Sequence, residues 1–172
     1  MFYNYITVVR NGLKWFDMFR ICTENPQKEV EAMLSGEYKH TLDAKNRIFI
    51  PAKHREELGA KFVVARNIRG NYLRVYSEPE WEKFIEPIKK LDRKLCEDTL
   101  RFLNRNAESV SPDAQGRIVL PQGLVEHAKI VKGAVIVGCG SYDEIWAEEL
   151  YSEAIENEDQ EAIRAALEAC GL

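Results

Sequence analysis

The chain has 172 residues, 45% hydrophobic and 30% charged, which describes an ordinary globular protein of one domain or of two small ones sharing a core. Its net charge of −4 hides an asymmetry: residues 141–172 hold ten acids against Arg164 alone, leaving residues 1–140 with 23 bases and 18 acids, a balance of +5 that suits a polyanion. Four scattered cysteines (Cys22, Cys96, Cys139, Cys170) exclude a zinc ribbon and a disulfide framework and fit a reducing, cytosolic setting, and no apolar run approaches the roughly 18 residues a membrane span needs.

Residues 1–32 lack the basic start of a signal peptide, and Arg10 and Lys14 interrupt their apolar stretch. Met33 stands directly before the first patterned residues. The expected native start is therefore Met33, with 1–32 a leader outside the native fold; a disordered arm is the competing reading.

From Gly36 the chain reads as strand, turn, strand, short helix and hairpin. Tyr38, His40 and Leu42 alternate with polar residues and predict a strand, the tetrad Asp43–Asn46 a turn, and Arg47–Ile50 a second strand. Pro51 suits the first turn of a helix that runs to Leu58 and stops at Gly59. Phe62–Arg66 and Tyr72–Tyr76 predict a hairpin, and Ser77 with Glu80 a capping box that starts another helix. Next, Leu91, Leu95, Thr99, Phe102 and Leu103 fall on one face of a bridging helix that also carries Arg93, Lys94, Arg101 and Arg105.

The order then repeats: a strand at Ala107–Ser111, a turn at Asp113–Gly116, a strand at Arg117–Leu120, a helix from Pro121, and a hairpin of Ala134–Gly138 with Glu144–Trp146 across a turn from Gly140 to Tyr142. Both copies contain D-A-x-x-R-I-φ-φ-P, where φ is aliphatic or aromatic, with Asp43, Arg47 and Pro51 matching Asp113, Arg117 and Pro121. The acidic segment after Glu148 ends the second copy. It reads either as a solvated capping helix, with Leu150, Ile155, Ile163 and Leu167 facing the core or a neighbouring subunit, or as an exposed partner-binding helix.

An arginine four residues beyond an aspartate, across a tight turn, is oriented by the carboxylate while part of its fork stays free for a planar acceptor pair. Guanine offers such a pair, O6 and N7, in the major groove, and Lys45, Lys39 and Lys53 supply phosphate contacts. The plain alternative is a salt bridge that closes a turn. Catalysis fits poorly, because each aspartate sits beside its own arginine, which lowers its pKa and leaves a weak general acid. His40, His54 and His127 show no metal-ligand spacing. Gly138, Cys139 and Gly140 lie inside a hairpin rather than ahead of a phosphate-binding helix, and read as its turn. Neither an enzyme nor a cofactor or metal site is expected.

The segment Ser35–Arg47 (SGEYKHTLDAKNR), the second D-A-x-G-R-I-x-x-P and the I-W-A-E-E exit together resemble MraZ proteins from about Met33 to the C-terminus. The resemblance implies a bacterial transcriptional regulator of α+β, strand-rich fold: two SpoVT-AbrB-type swapped-hairpin half-barrels packed with pseudo-two-fold symmetry in a double-barrel-like domain with flanking helices. It implies subunits assembled into a ring and a cytoplasmic, nucleoid-associated protein. That ring would bind double-stranded DNA at direct G-rich repeats, usually repressing the promoter of the division and cell-wall gene cluster. By motif position, Arg47 and Arg117 become the DNA-contacting bases, Lys45 and Gln115 loop contacts, and Asp43 and Asp113 the orienting carboxylates. Where the family's first motif has Gly this chain has Asn46, which tolerates left-handed backbone. The expected organisation is residues 35–81 as the first domain, 82–106 as a helical connector, 107–151 as the second domain and 152–172 as an acidic C-terminal helix. An antitoxin-like interaction module using that helix is the alternative function.

Overall fold

The computed structural model describes residues 33–172, so the leader reading of residues 1–32 lies outside the described residues. The first copy supplies strands β1 (Leu34–Thr41), β2 (Arg47–Phe49), β3 (Phe62–Arg66) and β4 (Tyr72–Ser77), with helix α1 (Ala52–Leu58) between β2 and β3. Helix α2 (Glu78–Ile85), a 3-10 turn (Glu86–Lys90) and helix α3 (Arg93–Arg105) follow. The second copy supplies β5 (Ala107–Val110), β6 (Arg117–Val119), α4 (Gln122–Ala128), β7 (Gly133–Gly140) and β8 (Asp143–Ala147), and the described chain closes with α5 (Glu148–Glu156) and α6 (Gln160–Ala169). The fold is mixed and strand-rich, as expected.

Strand pairing exchanges partners between the copies. The large antiparallel sheet runs β1-β7-β8-β4-β3-β5, and β2 pairs with β6 in a separate two-stranded ribbon. Swapping each strand for its counterpart in the other copy returns the same order read backwards. Each copy therefore lends its first strand to the other copy's hairpin: β1 lies along β7, and β5 along β3. Close approach on the first of these edges dictates a glycine, because a Cβ on Gly138 would stand 2.3 Å from Ser35 N. Gly138–Gly140 thus end a strand, and the turn expected from Gly140 to Tyr142 closes the hairpin through Ser141 and Tyr142.

The main core lies between this sheet and the layer formed by the ribbon, α1 and α4. Ile48, Ile118, Phe62, Val64, Val75, Ile136 and Ile145 are fully buried in it. A second cluster covers the opposite face of β3 and β4, where Val63, Ala65 and Tyr76 meet Trp81 and Ile85 of α2 and Leu103 of α3. Burial on both faces explains why β3 reads as an unbroken apolar run instead of an alternating one.

Three helical expectations need correction. Pro51 occupies the N-cap, with extended backbone (φ −51°, ψ 139°), rather than the first turn, so its ring stands clear of the helical carbonyls. The bridging helix turns only Leu100 and Leu103 inward, while Leu91 precedes the helix and Leu95 and Phe102 stay about half exposed. The acidic segment 152–172 is not one helix. It breaks at Asn157, and Asp159 starts α6 by accepting the Ala162 N–H at 2.9 Å. Of the apolar residues after Glu148 expected to face the core, only Leu150 reaches it; Ile155, Ile163 and Leu167 are exposed. The capping box is seen in its first half, Ser77 Oγ accepting the Glu80 N–H at 3.4 Å, while the Glu80 carboxylate takes Lys83 instead.

One polar pair interrupts the main core. His54 of α1 and Asp143 of β8 are both fully buried and meet at 2.9 Å, Nδ1 to Oδ2, while His54 Nε2 lies 3.0 Å from the Ser35 carbonyl of β1. Burial raises the Asp143 carboxyl to about 6 even though His54 pulls it down. In the other copy the corresponding positions are Leu124 and Leu73, both buried core residues. The two copies thus share a backbone plan and differ in the chemistry of one core contact.

Candidate nucleic-acid interface

Each D-A-x-x-R segment folds into the same hydrogen-bonded turn. In the first, the Asn46 N–H donates to the Asp43 carbonyl (2.9 Å) and the Asp43 N–H to the Arg47 carbonyl (3.0 Å). Asp43 Oδ1 accepts the N–H groups of Lys45 (2.8 Å) and Arg47 (2.9 Å), and Oδ2 accepts Arg47 Nε at 2.6 Å. The second repeats every bond: Gly116 N–H to the Asp113 carbonyl, Gln115 and Arg117 N–H to Asp113 Oδ1 at 2.9 Å, and Arg117 Nε to Oδ2 at 3.0 Å. The fourth turn residue needs left-handed backbone, and Asn46 (φ 55°) and Gly116 (φ 79°) supply it. Asparagine therefore stands in for glycine without changing the turn.

These bonds fix the protonation of the aspartates. Backbone donation from Arg47 holds the Asp43 carboxyl at about 2, and the side chain of Arg117 does the same for Asp113. Neither can act as a general acid near neutral pH. The arginines differ in what they keep free. Arg47 meets Asp43 through Nε, leaving both terminal nitrogens without an acceptor among the described residues, whereas Arg117 also spends Nη2 on Asp113 at 2.7 Å. Both are about 30% exposed.

Pairing of β2 with β6 brings the turns together. The register sets Arg47 opposite Val119 and Phe49 opposite Arg117. Side chains alternate along a strand, so Arg47, Phe49, Arg117 and Val119 share the outer face while Ile48 and Ile118 point into the core. Arg47 and Arg117 are diagonal neighbours on that face, about 7–8 Å apart. Backbone bonds lock each turn to the other copy's strand end, with the Leu120 N–H donating to the Asn46 carbonyl (2.8 Å) and the Ile50 N–H to that of Gly116 (3.0 Å). Lys45 and Gln115 are exposed in their turns.

A further cation stands beside this face. Arg55 of α1 donates from Nε to the Ile50 carbonyl at 3.1 Å, lies over the Phe49 ring at 5.6 Å and packs so closely on the second turn that a Cβ at Gly116 would come within 2.7 Å of its Cζ. Sequence reasoning passed over Arg55 because Val125 occupies the matching position in the second copy. Its place four residues after Pro51, at the end of β2, was the available signal. Lys53, expected near phosphates, points instead toward Ser35 Oγ at 3.4 Å. The histidines are dispersed: His54 is in the core, His127 bonds the carbonyls of Asn67 and Gly70, and His40 packs on Phe49. No group of three or more metal-ligating side chains occurs among the described residues. No helix among them is long and apolar enough to cross a membrane.

A duplicated strand–turn–strand–helix–hairpin unit that swaps strands with its twin, and sets a carboxylate-held arginine from each copy on one exposed ribbon face, defines a two-repeat protein with paired basic loops. Residues 33–101 and 103–170 match the family model described as "MraZ protein, putative antitoxin-like", and the chain belongs to the MraZ family. It is 43% identical over 129 residues to the transcriptional regulator MraZ of Thermoanaerobacter sp. (strain X514), covering 74% of this chain and 90% of that protein. It is 40% identical over 143 residues to the transcriptional regulator MraZ of Clostridium acetobutylicum, covering 81% of this chain and all of that protein.

Proposed function

We propose that the chain is a sequence-specific DNA-binding transcriptional regulator that reads its operator through the Asp43–Arg47 and Asp113–Arg117 turns. The observation that carries the reading is the presence of Arg47 and Arg117 on one face of the β2–β6 ribbon, each held by its own aspartate. Its relatives' names as transcriptional regulators support it. Arg47, whose two terminal nitrogens have no acceptor among the described residues, makes the bidentate contact to guanine, and Arg117 makes a narrower one. Lys45 and Arg55 meet phosphates, and Gln115 adds a hydrogen bond.

The partner-exchanged sheet supports two swapped half-barrels, residues 35–81 and 107–151 with the connector 82–106, in a double-barrel-like domain. The second half extends into α5, which runs past residue 151. The family resemblance supplies the rest of the reading: a ring-shaped homo-oligomer in the cytoplasm, associated with the nucleoid. It represses the division and cell-wall gene cluster from direct G-rich promoter repeats, and ring symmetry sums weak contacts along those repeats.

Mobility shifts on the promoter upstream of the protein's own gene test this. Arg47→Ala or Arg117→Ala each weakens specific binding by about 1–3 kcal/mol, and the double variant loses sequence preference while keeping its fold and assembly. Retained promoter preference in the double variant removes these arginines from recognition. Affinity also falls steeply with salt as phosphate contacts release counterions.

A further inference from the structure

The β2–β6 ribbon carries more than arginines on its outer face. Phe49 and Val119 hold the same place in the two D-A-x-x-R-I-φ-φ-P motifs, two residues beyond Arg47 and Arg117. The register sets Val119 opposite Arg47 and Phe49 opposite Arg117, so each arginine faces the apolar residue of the other copy. Cation and hydrocarbon therefore alternate both along each strand and across the pair. This hydrocarbon lies outside the core: Ile48 and Ile118, between these positions, are fully buried, whereas Phe49 is 37% exposed and Val119 57%. Phe49 is also held in place, with Arg55 over its ring at 5.6 Å and the His40 ring packed on it at 5.3 Å. Val119, branched at Cβ, is stiff at χ1.

An apolar side chain pressed against a duplex gains where it meets hydrocarbon, and the base edges in the major groove display one such group, the C5-methyl of thymine. A two-stranded ribbon is narrow enough to enter that groove, its strands about 4.7–4.9 Å apart against a width of about 12 Å. Facing residues of an antiparallel pair have Cβ atoms about 4.5–5.5 Å apart, and successive bases of a strand rise about 3.4 Å. The residue opposite an arginine thus stands over the base pair that the arginine reads or over one next to it. We propose that Phe49 and Val119 are specificity-determining residues that recognise the methyl group of a thymine beside the guanines read by Arg117 and Arg47. The inference rests on the regulator reading and deepens it: the arginines alone ask for guanine, whereas the whole face asks for guanine and thymine on neighbouring base pairs. Phe49 reaches further from its strand than Val119, so the two halves make unequal contacts.

The test compares two versions of the promoter fragment upstream of the protein's own gene, one built with thymidine and one with deoxyuridine throughout, which differ only in the methyl group. An unrelated thymidine fragment of equal length measures promoter preference. One buried methyl is worth about fourfold in affinity. The full chain is therefore expected to bind the deoxyuridine promoter at least tenfold more weakly than the thymidine promoter. Phe49→Ala and Val119→Ala are each expected to lower that ratio about fourfold, and the double variant to bind both versions alike while still preferring the promoter. Val119 is the more exposed of the two, so Val119→Ala decides the matter if Phe49→Ala fails to fold. Equal binding of the two versions by the unaltered chain, with promoter preference intact, overturns this inference and leaves the regulator reading standing. Absence of promoter preference overturns both. A methyl effect that persists undiminished in the variants also overturns the inference and assigns the effect to DNA shape. If assembly is lost as well in those variants, the two side chains belong to a contact with a second copy of the chain.

Discussion

Asp43 and Asp113 each accept two backbone N–H groups and one guanidinium, and that arrangement has a pH signature. Their carboxyls titrate at about 2, against 3.8 for a free one. The unfolded chain takes up these protons first, so the turns favour the folded state above pH 3.8 and lose that contribution as pH falls through about 2. Carbon-13 carboxyl titration is expected to place both midpoints near 2, and a midpoint near 3.8 for either means that its turn is open in solution. Gly116 answers to a different constraint. Gly116→Ala forces an L-residue into left-handed backbone, at a cost of about 1–2 kcal/mol, and its Cβ displaces Arg55. Chemical denaturation measures the cost, and under the regulator reading DNA affinity falls with it.

At the scale of elements, the apolar pattern of a helix shows which face is oily without showing how much of it finds a partner. Helix α3 carries Leu95, Phe102 and Leu103 on a face legible in the sequence, yet only Leu103, with Leu100, packs on the β3–β4 hairpin. Leu103→Ala is therefore expected to cost about 2–5 kcal/mol, while Leu95→Ala stays within about 0.5 kcal/mol for the isolated chain. Urea midpoints of the two variants separate these outcomes, and a large loss for Leu95→Ala shows that its face is covered in solution. The turns and the strands after them were legible because proline, glycine, asparagine and period-2 alternation act locally. The break at Asn157 was not, since the acidic, alanine-rich composition continues across it into α6.

For the whole molecule, the exchange of strands between copies makes the fold depend on contacts that reach across the chain. His54 and Asp143, 89 residues apart, tie α1 to β8, where the other copy uses two leucines. Removing one member leaves a buried polar group unpaired, so His54→Leu alone is expected to cost about 3–5 kcal/mol. The double variant His54→Leu with Asp143→Leu copies the leucine pair of the other half and is expected to recover most of that loss. Thermal unfolding of the set measures it; a double variant as unstable as the single one means the pair does more than fill space.

The sequence by itself determined the duplication, the element order, the two turns and the family, because each is written in local spacing that any reader of residues can count. It did not announce Arg55, which is absent from the repeat, or Asp143, which looks like one more acid at the edge of an acidic tail. Only the tertiary structure decided that Arg47 and Arg117 stand as diagonal neighbours on one face. That placement depends on the register of β2 against β6, a pairing across seventy residues, and a shift of one residue would have turned either side chain into the core.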